Sequence, residues 1–251
     1  QDGLDNFIED GDRLHYRDFL LTGKSVYLEK LNRLEECMKD LEFLKDNIHT
    51  ITSTEAKLLV YEQRSKILKK FQMYDDAKDC AKEGIRLAIV NKAHDRELDL
   101  WTLLGEMHFE TDEQDKAEKC YLTALELKEK INKEFLFVTT YTQLGILYTT
   151  QGKLEESQTI LEHAVTVGQK TKDGVRYIEA LVELGDCLEK QKLYQDAIQA
   201  YKKALKVAKN HNFILFEQKL NHKLGTCYKI IGDISNYKIC VDRFFEIGQH
   251  A

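Results

Sequence analysis

The stretch WTLLGEMHFETDEQDKAEKCYLTA, residues 101–124, is answered by YTQLGILYTTQGKLEESQTILEHA at 141–164 and by LVELGDCLEKQKLYQDAIQAYKKA at 181–204. Working outward from these three gives one 40-residue period along the chain, the signature of stacked copies of one supersecondary unit. A small residue recurs at Ser25, Ser65, Gly105, Gly145, Gly185 and Gly225. Four positions earlier stand Leu21, Tyr61, Trp101, Tyr141, Leu181 and Asn221; three positions later come Leu28, Leu68, His108, Tyr148, Leu188 and Tyr228. These offsets put bulky groups around a small one on a single helical face. A second small row follows at Cys37, Ala77, Ala117, Ser157 and Ala197, broken by Tyr237, and four residues beyond it stand Leu41, Ala81, Tyr121, Leu161, Tyr201 and Val241. A residue with little or no side chain lets one helix backbone approach another, and the large neighbour fills the adjoining gap. Each period therefore predicts a pair of antiparallel helices. Thr111-Asp112-Glu113, Gln151-Gly152-Lys153 and Ile231-Gly232-Asp233 read as turns within pairs. Asn91-Lys92-Ala93-His94, Lys172-Asp173-Gly174 and Asn210-His211-Asn212 read as short connections between them.

Trp101-Thr102-Leu103-Leu104-Gly105 with His108, Ala117, Tyr121 and Ala124 resembles the tetratricopeptide repeat family, whose signature is W-x2-L-G-x2-Y followed by A-x3-F and P. Tyr141 to Tyr148, and Leu181 to Gly185 with Ala197, Tyr201 and Ala204, are similar copies. The resemblance runs from about Asp12 to Gln249. It implies an all-α, right-handed superhelical solenoid of about six hairpins forming a single domain over 1–251, with repeats near 12–50, 54–91, 94–131, 134–171, 174–211 and 214–249. Two features depart from the family: the period is 40 rather than 34, and its closing proline is missing, as is every other proline. Hairpins longer than the family consensus are expected.

Composition narrows the function. The 251 residues carry 37 Lys+Arg against 43 Asp+Glu, a net charge of −6, which argues against a generally basic nucleic-acid or anionic-membrane surface. No apolar run approaches the roughly 18 residues of a membrane span. Six cysteines without a CxxC spacing, and no Asn-x-Ser/Thr sequon, fit a reducing, cytoplasmic setting with thiols used as small buried groups. The chain opens at Gln1, which reads as a fragment or processed form with flanking sequence elsewhere.

Enzyme constellations fail one by one, so the expectation is a non-catalytic chain with no cofactor. Gly23-Lys24-Ser25 would end a phosphate-binding loop, but the first glycine of that motif falls on Asp18. HExxH, GxSxG and GxGxxG are absent, and the eight histidines are scattered, so no metal is expected. What remains is the concave channel that the resemblance implies, lined by the first helix of each repeat. The peptide-binding residues expected there are Lys66 and Lys69; Thr102, Glu106 and Phe109; Thr142, Gln143, Ile146 and Thr149; Val182 and Asp186; and His222 and Thr226. Along the repeats this lining reads basic, acidic, uncharged, acidic, basic, an order that suits a mixed-charge ligand rather than a polyanion. Threonines and Gln143 would pair with the backbone of an extended peptide, whose amides need partners; Ile146, Val182 and Phe109 would form an apolar pocket.

Chaperone-tail clamps of the same family use asparagine at positions that here hold Val26, Lys66, Glu106, Ile146, Asp186 and Thr226, which disfavours that role. The long repeats, the 29 Lys against 8 Arg, and the run from Gly185 through Leu205 resemble the Firmicute peptide-pheromone receptors of the Rap, NprR and PlcR type. That resemblance implies the sensor domain of a cytoplasmic bacterial regulator in quorum sensing and transcription regulation, binding a short signalling peptide or extended protein segment and passing the change to a partner surface or a homodimer contact. Nucleic acid would be reached through a missing N-terminal helix-turn-helix rather than through this segment, and no membrane contact is expected. The alternative is a general protein–protein scaffold that uses outer faces or Phe244-Phe245.

Overall fold

A computed structural model describes residues 14–171 and 173–250. The described residues form twelve α-helices and two short 3₁₀ turns, the all-helical hairpin architecture expected from the period. Residues 12 and 13, where the first repeat was expected to begin, lie outside the described residues. The chain divides into two compact units, 1–131 and 132–251. In the first, α1 (Leu14–Lys30) packs with α2 (Leu34–Asp46), α3 (Thr54–Lys70) with α4 (Tyr74–Val90), and α5 (His94–Glu110) with α6 (Gln114–Glu126). In the second, α7 (Val138–Thr150) packs with α8 (Leu154–Gly168), α9 (Gly174–Lys190) with α10 (Tyr194–Asn210), and α11 (Ile214–Ile230) with α12 (Ile234–His250). No helix among the described residues is long and apolar enough to cross a membrane.

The 40-residue period has a simple anatomy. In the regular repeats each helix is 17 residues long and three-residue links join them, as in α3, α4, α9 and α10. The six residues beyond the family's 34 therefore lie in the helices, not in the links. The middle residue of each such link is left-handed: Asn32, Gln72, Lys92, Asp112, Gly152, Lys192, Asn212 and Gly232, with φ between 54° and 78°. This conformation turns the next amides back onto the helix end. Gln72 N–H donates to Lys69 O at 2.9 Å and Met73 N–H to Leu68 O at 3.0 Å, and Lys192 and Leu193 repeat both bonds. These paired bonds satisfy carbonyls that a helix terminus would otherwise leave open, which lets each helix stop without proline. Gly23-Lys24-Ser25 lies inside α1, with Lys24 paired to Asp40 at 2.8 Å, so it forms no phosphate-binding loop.

Within a hairpin the small residue and the large one meet. A Cβ on Gly105 would run into the Tyr121 ring, one on Gly185 into the Tyr201 ring, and one on Gly145 would lie 2.5 Å from Leu161 Cγ. Tyr121, Tyr201 and Leu161 are completely buried. Where the large row holds Leu41 or Ala81, the small row holds Ser25 or Ser65 instead of glycine. The second small row supplies a short donor in two repeats: Ser157 Oγ donates to Gly145 O at 2.8 Å, and Cys37 Sγ to Ser25 O at 3.2 Å. Apolar clusters then run from hairpin to hairpin within each unit, around Leu58, Leu100 and Met107 in the first and around Leu181, Leu220 and Leu224 in the second.

Left-handed φ costs an L-residue roughly 1–2 kcal/mol, against a glycine entropy cost of roughly 0.5–1 kcal/mol. Gln72→Gly and Lys192→Gly are therefore each expected to raise unfolding free energy by about 0.5 kcal/mol, while Gly152→Ala lowers it by about the same amount. Urea denaturation of the three variants checks this; a loss of stability in both glycine variants would contradict it.

Candidate functional site

The first helices carry the expected site, and burial sorts its residues. In α3, α5, α7 and α9 the positions one and four after the small residue are half-buried in most repeats, as at Lys66, Lys69, Glu106, Phe109, Ile146 and Asp186. Three before it the chain turns inward. Thr102 and Thr142 are each 5% exposed, and their hydroxyls donate to the carbonyls of Leu98 (2.9 Å) and Val138 (2.8 Å) one turn back. Val182 is completely packed into the second unit's core. Thr149 is also buried, its hydroxyl 2.6 Å from Ser157 Oγ in the α7/α8 contact. These four residues are buried and offer little surface to a peptide. Sequence periodicity marks a helix face but does not say how wide the covered stripe on it is, which is why they were grouped with the lining.

The charged lining is largely spent on itself. In the first unit Lys69 Nζ sits 2.5 Å from Glu106 Oε2 and 3.3 Å from Glu110 Oε1, so the basic and acidic repeats neutralise each other. Lys66 pairs with Glu62, which also accepts from Arg96 at 3.0 Å, and Arg96 in turn holds Glu55. In the second unit Asp186 accepts from Lys223 at 2.6 and 2.7 Å and from the Tyr201 hydroxyl at 2.5 Å. Tyr201 also reaches Glu189 at 3.1 Å. Burial first, then the bond to Asp186, raises the Tyr201 phenol far above its ordinary range, so it remains a donor. Half-buried Glu183 has its carboxyl raised, first by burial and then by the neighbouring Asp186 charge, against the pull of Lys219 and Lys223. His222 is exposed and its ring lies 5.7 Å from Phe244, while Thr226 donates to His222 O at 3.1 Å.

Arg96, Tyr201 as a donor and Glu183 were missed by pattern reading. A signal for such contacts exists: Lys69 and Glu106, and Asp186 and Lys223, are 37 residues apart, one period less one helical turn. Searching for opposite charges at that spacing finds both.

The cysteines are structural. All six are free and buried. Burial pushes Cys37 and Cys120 up to about 11 and Cys227 up to about 12, which disfavours the thiolate a redox switch needs.

One polar cluster joins α4 to the link between α5 and α6. Lys78, only 7% exposed, donates to Thr111 Oγ1 at 2.7 Å and to Glu113 Oε2 at 2.6 Å. Glu113 also accepts from Lys116, and His108 Nδ1 lies 2.5 Å from it.

Models of the tetratricopeptide repeat match residues 136–210 and 98–131. These two stretches are tetratricopeptide repeats. No curated protein sequence matches it. Among solved structures it is similar to BtubC from P. vanneervenii, with TM-score 0.71 and 19% identity over 89% of this chain and 91% of that one. A Rap protein complexed with competence and sporulation factor gives TM-score 0.74 and 11% identity over 99% and 80%. NprR in complex with its cognate peptide NprX gives 0.65 and 17% over 99% and 71%. At these identities the likeness is one of fold, and it agrees with the repeat assignment.

Bonds from Lys116, Lys78 and His108 hold the Glu113 carboxyl well below the usual carboxylate range, while burial, the largest influence, lowers the His108 imidazole. Both folded values lie below their unfolded ones, so both contributions are complete above the unfolded values and fade as pH falls. Melting temperature is expected to drop as pH falls below about 6.5 and again below about 4.5, and Glu113→Gln should flatten the second drop. Parallel profiles for Glu113→Gln and the parent would contradict this.

Proposed function

We propose that this tetratricopeptide protein is a non-catalytic binding module, and that α7 and α9 in the second unit take an extended peptide segment along their half-buried row. The observation carrying this reading is that row: Gln143 and Ile146 on α7, and Glu183 and Asp186 on α9, repeat at the same register on helices that pack together. An amide, an apolar step and two carboxylates give a strand-like ligand backbone partners, a side-chain contact and a place for a basic group. Asp186 is already fixed by Tyr201 and Lys223, so the row is ordered before any ligand arrives.

The finer reading is the peptide sensor of a bacterial regulator in the quorum-sensing class, acting in the cytoplasm. Fold likeness to NprR and Rap, both of which have been solved with a bound peptide or factor, supports it, as do six unpaired buried cysteines. Binding would shift the packing between hairpins and so alter a surface read by a partner or a second subunit.

Titration calorimetry of the chain against a panel of short secreted peptides tests this. A peptide that binds is expected to lose about tenfold in affinity when Gln143→Ala and Ile146→Ala are combined, with helicity unchanged. If binding is indifferent to that double change, this row is not the site and a scaffold using other faces becomes the better account.

A further inference from the structure

The last hairpin keeps the register of those before it and changes their chemistry. In the fifth repeat, α9 and α10 receive α11: Lys223 sits on Asp186, and Cys227 Sγ lies 3.8 Å from Glu189 Oε2. Forty residues on, the positions of Asp186 and Glu189 hold Thr226 and Lys229, and those of Ala204 and Leu205 hold Phe244 and Phe245. Tyr201, which fills the gap beside Gly185, becomes Val241 beside Gly225, where an added Cβ would meet nothing nearer than Cys240 Cβ at 3.5 Å. The outcome is an apolar groove of about 810 Å³ between α11 and α12. Tyr237, Val241 and Phe244 line it at steps of four and three along α12, with Phe245 and Ile230 at its edge 62% and 50% exposed. Among the described residues its one charged side chain is Lys229, with His222 beside it and no carboxylate.

We infer that this groove docks an acidic amphipathic helix of a partner protein, seated on α11 and α12 as α11 is seated on α9 and α10. The inner joint shows that this face of a hairpin accepts a helix. The i, i+4, i+7 spacing of the aromatic and aliphatic lining suits an apolar helix stripe rather than an extended strand. Charge fixes the partner's chemistry. Where the inner joint presents Glu189 to the neutral Cys227 thiol, the last hairpin presents Lys229, so a helix with a carboxylate at the Cys227 position gains an ion pair there. This surface is separate from the Gln143 and Ile146 row, so either assignment can fail without the other.

The probe is a labelled 17-residue peptide with the sequence of Ile214–Ile230, made acidic by Lys219→Glu and Lys223→Glu and prepared in two forms, Cys227→Glu and Cys227→Lys, and titrated against the full chain by fluorescence anisotropy. The Cys227→Glu peptide is expected to saturate and to bind about tenfold more tightly than the Cys227→Lys peptide. Lys229→Glu in the protein, at an exposed position, should invert that order, and Phe245→Ser should weaken both peptides with the circular dichroism unchanged. Absence of saturation up to about 1 mM, equal affinities, or an order that survives Lys229→Glu would overturn the inference. Sedimentation provides a further check: a dimer that Phe245→Ser dissolves would mean that a second copy, not an acidic partner helix, covers the groove, and would also overturn it.

Discussion

Two helix backbones approach closely at one small residue per hairpin, and a large side chain from the facing helix occupies the space that residue leaves. Everything regular about the molecule follows from that contact. Gly105 against Tyr121 and Gly185 against Tyr201 leave no room for a Cβ, so each hairpin can close in one register only. Three-residue links with a left-handed middle residue then set where each helix stops, and two 17-residue helices with two links give the 40-residue period. Hairpins with identical geometry present identical faces, which is what allows them to stack within each unit.

Stacking brings first helices side by side and largely decides which charges remain for a ligand. Lys69 with Glu106, and Asp186 with Lys223, pair between successive hairpins at 37-residue separation. These half-buried pairs order the surface and also neutralise it. What the second unit leaves open on α7 and α9 is a short mixed row around Gln143, Ile146 and Glu183, small enough to suit a peptide and unsuited to a polyanion. In the sixth hairpin the lining changes from carboxylate to lysine and from alanine to phenylalanine.

Much of this was legible in the residues. The small row from Ser25 through Gly105, Gly145 and Gly185 to Gly225 located the hairpins, and Gly152 and Gly232 marked two turns; the links at Gln72 and Lys192 were harder because these residues adopt a conformation that their side chains do not advertise. The site was only half legible. Helical phase separated the first-helix face from its opposite but could not show that Thr102, Thr142 and Val182 lie under the neighbouring packing while Gln143 and Ile146 lie at its edge. Asp186 was found, yet its bond to the Tyr201 hydroxyl was not, because Tyr201 stands in the large row that fills the gap beside glycine. It is core, and its hydroxyl emerges at the far side to hold the carboxylate. Sequence patterns assign a residue one face, and a long side chain such as tyrosine serves two.

The most direct test of the small-to-large contact is a double-mutant cycle at the fifth hairpin, measured by urea denaturation. Gly185→Ser alone should cost about 2–3 kcal/mol through overpacking against the ring. With Tyr201→Leu also present, which recreates the Ser25 and Leu41 combination of the first hairpin, the same serine should cost less than about 1 kcal/mol. A coupling above about 1 kcal/mol is the predicted result; additive effects of the two substitutions would contradict the account.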